Sequence, residues 1–228
     1  CAGGDLRPER LLAAYSRGIF PWYEKGLPIL WWAPDPRCVL PLESFRLPSR
    51  SARALRRRPF ELTLDAAFGQ VIRACAGPRA AGNGTWLTAE MIAAYERLHA
   101  LGYAHSVEAW RDGSLAGGLY GVALGRAFFG ESMFHRASEA SRAALAGLVA
   151  LLRLRGADLL DCQQQTPHIM RMGGVMLPRA SFLERLARAL AADGAGEPDG
   201  RQAETVPWAP WKTGYAYSAI SGSWTARS

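Results

Sequence analysis

The spacing of apolar residues along the chain predicts five helices. The clearest lies in residues 137–156, where Leu145 and Leu148 belong to an apolar stripe with the i, i+3, i+4, i+7 pattern. Shorter segments with the same period predict helices at residues 6–17, 65–75, 88–101 and 182–192. Asp65 and Thr88 stand where the N-caps of two of these helices belong.

Between two of these helices the period becomes alternating, which is typical of strands. Residues 104–111, 114–124 and 127–134 show this alternation, and turn sequences at Asp112-Gly113 and Gly125-Arg126 join them into an antiparallel meander. Short strands are also predicted at residues 60–64 and 157–163. Because the longest helix separates the third meander strand from the strand at 157–163, these two strands are expected to be parallel.

This order of elements predicts an α+β fold. Helix, three antiparallel strands, helix, strand and helix is a succession that resembles the N-acetyltransferase (GNAT) superfamily. We therefore predict a small N-terminal α/β domain and a C-terminal N-acetyltransferase-like mixed sheet with flanking helices. The predicted division places the N-terminal domain in residues 1–60, the mixed sheet in residues 61–192 and a flexible, Gly- and Pro-rich tail in residues 193–228.

Basic residues concentrate in one segment of the chain. The 228 residues have a formal net charge of +7, and residues 37–58 contain seven arginines but only one acid, Glu43. The arginines are Arg37, Arg46, Arg50, Arg53, Arg56, Arg57 and Arg58. Arginine binds phosphate bidentately, so the clustering predicts contact with a nucleic-acid backbone. The alternative is a composition bias, since the chain is also rich in Ala and Gly.

The cysteines and the hydropathy exclude several classes of protein. The four cysteines lie far apart, without a CxxC pair or a histidine at ligand spacing, so neither a metal site nor a disulfide framework is expected. A reducing cytoplasm is the default compartment for such a chain. No apolar run approaches the roughly 18–20 residues that span a bilayer. The first ten residues lack the apolar core of a secretory signal and resemble a cut within a longer chain.

Two stretches carry most of the chain's unusual composition. Residues 18–37 contain four prolines and three tryptophans, which indicates either a hydrophobic plug between domains or a surface on which a nucleobase stacks. Residues 117–134 contain five glycines and a single acid, Glu131. That second stretch is either a kinked hairpin that fills the core, or one wall of a hydrophobic pocket in which the glycines let a ligand lie close to the backbone.

The donor of an ordinary acetyltransferase is not expected here. Enzymes that use acyl-CoA need a glycine-rich turn after the third meander strand, whose backbone amides hold the pyrophosphate. In this chain no glycine lies between Gly130 and Gly147. The space between the strands is therefore expected to hold a different donor.

Eight motifs, in order, resemble the leucyl/phenylalanyl-tRNA–protein transferase family. They are GGDL at residues 3–6, YSRGIFPW at 15–22, WWAPDPR at 31–37, GTW at 84–86, LHALGYAHSVEAW at 98–110, GGLYGV at 117–122, GESMF at 130–134 and LLDCQ at 159–163. The resemblance covers roughly residues 1–190. Family members begin some tens of residues earlier, so the resemblance implies an N-terminal truncation. His135 and residues 166–179 depart from the family pattern, on the acceptor side.

The resemblance implies a cytoplasmic, monomeric enzyme that needs no cofactor and no metal. It would transfer Leu, Phe or, less well, Met from aminoacyl-tRNA to the N-terminal Arg or Lys of acceptor proteins, which marks them for degradation by the N-end rule. Carried over by motif, Asp161, Gln163 and Glu131 would orient and deprotonate the acceptor amine. Tyr15 would lie near the acceptor together with Glu131.

The resemblance also assigns the binding of the donor. The amino-acid pocket would be formed by Leu119, Phe128, Met133, Leu145, Leu148 and Leu160. Trp22 and Trp86 would stack on the terminal adenosine, and the charge pattern adds Arg50, Arg53, Arg56, Arg57 and Arg58 as the tRNA-binding residues. Asp161 could be a base or could only orient the reacting groups, and Cys162, next to it, is expected to point into the core. An acyl-CoA-dependent N-acetyltransferase and a noncatalytic RNA-binding module remain as alternatives.

Overall fold

The computed structural model describes residues 1–77 and 87–191. Within them it contains seven α-helices and nine strands. The helices are α1 (Pro8–Tyr15), α2 (Ser49–Leu55), α3 (Phe68–Cys75), α4 (Ala89–Ala100), α5 (Ala140–Leu154), α6 (Pro167–Arg171) and α7 (Arg179–Ala191). The strands are β1 (Phe20–Pro21), β2 (Trp31–Trp32), β3 (Arg37–Val39), β4 (Glu61–Leu64), β5 (Ala104–Arg111), β6 (Ser114–Leu124), β7 (Ala127–His135), β8 (Leu159–Gln163) and β9 (Val175–Leu177).

Seven of the strands form one mixed sheet. Its order is β4-β5-β6-β7-β8-β3-β9, while β1 and β2 pair separately. Strands β5, β6 and β7 are the predicted antiparallel meander, and β8 runs parallel to β7 as predicted. The prediction of an α+β fold with a mixed sheet and flanking helices is confirmed.

The sheet separates two layers of core. Successive residues of a strand point to opposite faces, and on β7 Phe128 packs in one apolar cluster while Phe129 packs in the other. Helix α5 covers the first face, and α1, α3, α4 and α7 contribute to the cluster on the second. Helix α5 comes close to the sheet at Gly117, where a Cβ atom would lie 2.6 Å from the Ala140 Cβ.

Two strands of this sheet were not anticipated from the sequence. Strands β3 and β9 are three residues each, and β3 pairs antiparallel with both β8 and β9. Three residues are too few to show an alternating pattern, and β3 adjoins a proline-rich stretch. The division near residue 60 stays a prediction, although β3, from the first sixty residues, lies inside the seven-stranded sheet. The predicted tail lies outside the described residues.

Of the two predicted N-caps, one is confirmed and one is wrong. Thr88 Oγ1 accepts a hydrogen bond from the Met91 amide at 3.2 Å, at the start of α4. Asp65 does not cap α3, which begins only at Phe68. Its carboxylate instead accepts the Ser106 amide at 2.8 Å and lies 2.8 Å from Nδ1 of His105. Asp65 therefore fastens the turn after β4 to β5.

Candidate functional site

A cavity of about 570 Å³ opens beside β7 and β8, next to the beginning of α5. Its apolar lining includes five of the six residues predicted for the pocket: Leu119, Met133, Leu145, Leu148 and Leu160. The sixth, Phe128, is 1% exposed and lies in the core cluster that these leucines also join. The structure thus brings the predicted set together, with Phe128 behind the wall rather than on its surface.

The apolar wall follows from the helical and strand periods. Leu145 and Leu148 are three residues apart and so share one face of α5. Leu119 of β6 pairs directly with Met133 of β7, which places both side chains on the same face of the sheet. Leu160 on β8 continues that face. Most of these side chains are buried, so the cavity offers a dehydrated surface to an apolar group.

Four of the five glycines in the stretch at residues 117–134 face neighbouring protein, which differs from the predicted role. A Cβ at Gly121 would overlap the Phe128 ring and the Phe129 carbonyl oxygen. A Cβ at Gly125 would lie 2.7 Å from the Ala189 carbonyl oxygen. These glycines admit neighbouring protein rather than a ligand. Among the five, Gly130 lies on the cavity.

Glu131 is a buried carboxylate on the cavity, held by three side chains. Tyr15 donates to Oε1 at 2.7 Å and Gln163 Nε2 donates to the same oxygen at 2.6 Å. The hydroxyl of Tyr95 donates to Oε2 at 3.0 Å. The two phenol oxygens are themselves 2.6 Å apart. Helices α1 and α4 thus each place one hydroxyl on a single carboxylate of β7.

The environment of Glu131 raises its pKa toward neutral pH. Burial is the largest cause and raises the pKa of Glu131 from the ordinary 4.5 to about 7. The hydrogen bonds from Tyr15, Tyr95 and Gln163 offset part of this, and the charge of Asp161 adds to the rise. Burial also raises the pKa of Tyr15 and Tyr95 well above 10.0, so both phenols keep their protons. The cavity therefore contains a carboxyl group that can exchange a proton near neutral pH.

The raised pKa of Glu131 predicts a pH-dependent contribution to stability. Folded protein binds more protons than unfolded protein between pH 4.5 and about 7. The stability that this group contributes is thus fully present below pH 4.5 and is lost as the pH rises through about 7. Relative to the Glu131→Gln variant, the wild type should lose up to about 3 kcal/mol between those limits. Urea unfolding of both proteins at several pH values measures this difference, and a constant difference would contradict it.

Asp161 is fully buried and bound to Arg37. Its Oδ1 accepts from Arg37 Nε at 2.9 Å and its Oδ2 from Arg37 Nη2 at 2.6 Å. Nη1 of Arg37 donates to the Gly18 carbonyl oxygen at 2.9 Å, and the guanidinium lies between the rings of Phe20 and Phe182. Arg37 belongs to the predicted phosphate-binding segment, but at 1% exposure it is a structural ion-pair partner.

Asp161 also determines where Gln163 points. The Gln163 amide donates to Asp161 Oδ1 at 2.8 Å, and Gln163 adopts a φ of 62°, which is unusual for a residue other than glycine. This backbone turn ends the strand alternation after Cys162. Gln163 therefore reaches Glu131 and the cavity, and Cys162 also lines the cavity. Cys162 lies on the Leu160 face, opposite Asp161 as predicted, but it is only partly buried and lines the cavity rather than filling the core. The geometry of Asp161 favours the orienting role over that of a base.

Two tryptophans stand at the exposed edge of this site. Trp22 lines the cavity with 37% of its surface exposed, and Trp32 is 41% exposed. Their ring centroids are 5.8 Å apart, and Trp32 Nε1 donates to the Trp22 carbonyl oxygen at 2.7 Å. Trp86, the other predicted stacking residue, lies outside the described residues. The short β1–β2 pair thus presents flat aromatic surface at the edge of the cavity.

The predicted tRNA-binding arginines are all exposed. Arg50 and Arg53 lie on α2, and Arg56, Arg57 and Arg58 follow it directly. A surface of this kind suits a polyanion.

The described helices include none with both the length and the hydropathy for a bilayer crossing. The described residues also contain no group of His, Cys, Asp and Glu with the arrangement of a metal site.

Sequence reasoning missed several polar residues of the site. Tyr95 is one of the buried residues of α4, and nothing in the spacing of these residues indicates that its hydroxyl reaches Glu131. Glu139, Arg142 and His168 also line the cavity, and Arg142 donates to Glu139 at 2.8 Å. Burial, followed by the charges of Arg142 and Arg171, lowers the pKa of His168.

The mixed sheet, the parallel β7–α5–β8 unit and an apolar cavity with a protonatable carboxylate suit an acyl-transferring enzyme. Comparison with known sequences gives the family. The chain belongs to the leucyl/phenylalanyl-tRNA protein transferase family: the family model matches residues 39–187, and the model of the family's N-terminal domain matches residues 4–35. It is accordingly an aminoacyltransferase, and the resemblance of its motifs to this family is confirmed.

Proteins named leucyl/phenylalanyl-tRNA–protein transferase are similar to this chain over most of its length. The one from Syntrophotalea carbinolica is 58% identical over 188 residues, which is 82% of each chain. The one from Nitratidesulfovibrio vulgaris is 59% identical over 182 residues, or 79% of this chain and 78% of that protein. The one from Azoarcus sp. is 57% identical over 187 residues, or 82% and 80%.

Proposed function

We propose that this protein transfers Leu, Phe or, less well, Met from aminoacyl-tRNA to the N-terminal Arg or Lys of acceptor proteins, and so marks them for degradation in the cytoplasm. The observation that supports this most is the cavity, where an apolar wall and a buried carboxylate adjoin. The wall suits the side chain of the transferred amino acid. The carboxylate suits a positively charged acceptor. We further propose that the protein acts as a monomer.

The apolar wall supports selection of large, flexible apolar side chains. Leucine and phenylalanine gain about 1.5–3 kcal/mol on complete burial. The wall formed by Leu119, Leu145, Leu148 and Leu160 leaves no polar partner for a hydrophilic side chain on that side, so such a side chain would lose its hydration without compensation. The pocket therefore discriminates by apolarity and size.

The acidic residues of the cavity support a cationic acceptor. Glu131 and Glu139 both line it. An N-terminal Arg or Lys brings two positive groups, the α-ammonium and the side chain. Glu131 can bind one of them, while Glu139 is paired with Arg142. A protein that begins with an acidic residue would instead meet like charges, which disfavours its binding.

The chemistry needs positioning more than activation, since an aminoacyl ester is already reactive. Holding the amine in line with the ester carbonyl can contribute several kcal/mol. Gln163 is fixed at both ends, by Asp161 at its backbone and by Glu131 at its side chain. We assign to Asp161 the role of orienting Gln163, and to Glu131 and Gln163 the contacts with the acceptor amine. Glu131 then accepts the proton that the amine loses.

The aromatic and basic surfaces support tRNA as the donor. Trp22, at the exposed edge of the cavity, is placed to stack on the terminal adenosine, an interaction worth about 1–3 kcal/mol. By its motif Trp86 has the same role. The exposed arginines of α2 and the segment after it would hold phosphates of the acceptor stem.

Removing three of these arginines should weaken tRNA binding in a salt-dependent manner. The variant has Arg50, Arg53 and Arg57 changed to Ala. A plot of the logarithm of the tRNA association constant against the logarithm of the salt concentration should become less steep, by up to about 0.9 for each lost phosphate contact. Fluorescence anisotropy with labelled tRNA at several salt concentrations measures both affinity and slope.

A matched variant controls for overall charge. Arg97, Arg185 and Arg188 are exposed residues of α4 and α7, and changing them to Ala removes the same net charge. This variant should keep nearly the wild-type slope. Equal effects of the two triple variants would show that only net charge matters, and would contradict the assigned surface.

One assay tests the proposed function against its alternatives. Purified protein is incubated with charged Phe-tRNA and a peptide that begins with Arg, and the product Phe-Arg peptide is measured by mass spectrometry. Product formation with Arg or Lys peptides but not with Glu peptides is expected. Turnover of acetyl-CoA without this product would support the N-acetyltransferase. Binding of tRNA without either reaction would support a noncatalytic RNA-binding module.

A further inference from the structure

The hydroxyls of Tyr15 and Tyr95 and the carboxylate of Glu131 form a closed triangle of oxygens, which we call the ring. Tyr15 Oη lies 2.7 Å from Glu131 Oε1, Tyr95 Oη lies 3.0 Å from Oε2, and the two phenol oxygens are 2.6 Å apart. All three distances are hydrogen-bond distances. Each such contact needs one proton between its two oxygens, so the ring needs three.

The ring contains three protons only when Glu131 is protonated. Each phenol supplies one proton, and an ionised carboxylate supplies none. With Glu131 ionised, one of the three contacts therefore joins two oxygens without a proton. With Glu131 protonated, Oε2 donates to Tyr95, Tyr95 donates to Tyr15, and Tyr15 donates to Oε1. Gln163 Nε2 also donates to Oε1 at 2.6 Å, which agrees with Oε1 as the acceptor and Oε2 as the protonated oxygen.

We propose that Tyr15, Tyr95 and Glu131 form a proton-accepting ring. The acceptor's α-ammonium group releases a proton to Glu131, and this proton completes the third hydrogen bond of the ring. The reaction attached to this ring rests on the proposed function. Glu131 carboxylate takes one proton from the ammonium, and the neutral amine attacks the ester carbonyl carbon. The new C–N bond forms, the ester C–O bond breaks, and a second proton of the nitrogen passes to the departing ribose oxygen. Glu131 then releases its proton to water.

The groups around Glu131 suit this exchange. Tyr15 faces it from α1, Tyr95 from α4, and Gln163 and Asp161 from β8. Asp161 is negative, but its charge is paired with Arg37 of β3. Two further phenols lie near Tyr95, Tyr120 of β6 edge-on to its ring and Tyr23 at longer range.

The proton affinities match. Burial raises the pKa of Glu131 to about 7, and an α-amino group has a pKa of about 7.7–8. Transfer of a proton between groups so closely matched costs little in either direction. Tyr95, which touches neither substrate in this scheme, is a positioning residue that acts through Glu131.

The pKa shift in one variant tests the ring. If each phenol were an independent donor to an ionised carboxylate, Tyr95→Phe would raise the pKa of Glu131. In the ring, the same change removes two hydrogen bonds from the protonated form and one charge-assisted bond, about twice as strong, from the ionised form. The pKa of Glu131 should therefore stay close to its wild-type value. Adding Tyr15→Phe should then raise it, because in the open ring Tyr15 is an ordinary donor to the ionised carboxylate.

Infrared spectroscopy measures this pKa without tRNA or acceptor. The C=O band of the protonated carboxyl is followed against pH in the folded protein, and its absence from Glu131→Gln assigns it. Tyr23→Phe is the matched control: Tyr23 is buried, its hydroxyl bonds to Glu90 of α4 at 3.4 Å, and the band should titrate as in the wild type. A rise of the pKa in Tyr95→Phe, or additive shifts in the double variant, would overturn the ring.

The pH profile of transfer tests the proton-accepting role separately. In the Tyr15→Phe, Tyr95→Phe double variant the acid limb of kcat/KM should move up together with the infrared pKa. If the infrared pKa of Glu131 shifts while the acid limb of kcat/KM stays where it is, the proposed role of the ring in proton transfer is overturned. If the wild type transfers nothing from Phe-tRNA, the proposed function fails, while the infrared titration still decides the ring.

Discussion

Replacing Glu131 by Gln should lower the turnover of aminoacyl transfer by about 10²–10⁴-fold, the usual contribution of a proton-transferring group. Glutamine has the shape of the protonated carboxyl: its oxygen can accept from Tyr15 and Gln163, and its NH₂ group can donate to Tyr95. The hydrogen bonds of the folded site are therefore kept, and only the capacity to take up a proton is lost. Single-turnover transfer from Phe-tRNA to an Arg peptide measures this effect, with tRNA affinity expected to stay close to the wild-type value.

Glu108 provides the matched control for this variant. It is also a buried carboxylate of the same sheet, on β5, and burial raises its pKa too. Its side-chain partners are Ser106 and Thr63, and it does not line the cavity. Glu108→Gln should transfer at nearly the wild-type rate per folded molecule. Transfer by Glu131→Gln within a few-fold of the wild-type rate would contradict the role of Glu131.

The fold was predictable from sequence where the elements are long. Eleven residues of β6 and fifteen of α5 are enough for their periods to stand out, and the turn residues between β5, β6 and β7 fix the meander. Strands β3 and β9 were not predictable, because three residues contain no period and their pairing is entirely nonlocal. The Asp65 cap failed because the side chain bonds to β5, forty residues away along the chain.

The apolar part of the candidate site was predicted better than its polar part. A wall residue needs only to be apolar and on the correct face, which spacing and motif position can supply, as for Leu145 and Leu148. A polar contact depends on the exact path of the backbone. The positive φ of Gln163 brings its side chain to the cavity, and nothing in the residue types reveals it.

The pairing of charges was the least predictable feature. Arg37 looks like one member of an arginine cluster, and Asp161 looks like an acid at the end of a strand. The two residues lie 124 positions apart in the chain, and their contact joins β3 to β8. Strand β3 is one of the two strands that the sequence did not predict. The same pairing explains why Asp161, although at a motif position, lies behind the cavity wall while Glu131 lines the cavity.

Replacing Arg37 by Met should destabilise the fold by about 3–5 kcal/mol, the usual result of removing one partner of a buried ion pair. The cost arises because the charge of Asp161 remains buried without a counter-ion, and Gly18 and the rings of Phe20 and Phe182 lose the guanidinium between them. Asp161→Leu should destabilise comparably, since it leaves the arginine charge buried. Urea unfolding at pH 7 measures both.

The double variant separates the cost of an unpaired charge from the value of the pair itself. Arg37→Met combined with Asp161→Leu removes both charges, so its free energy of unfolding should be higher than that of either single variant. The Gln163 amide still loses its acceptor, so transfer should stay low after stability returns. Additive destabilisation would show that the packing of Arg37, rather than its charge, holds β3 to β8. Recovery of both stability and transfer would show that Asp161 does not orient Gln163.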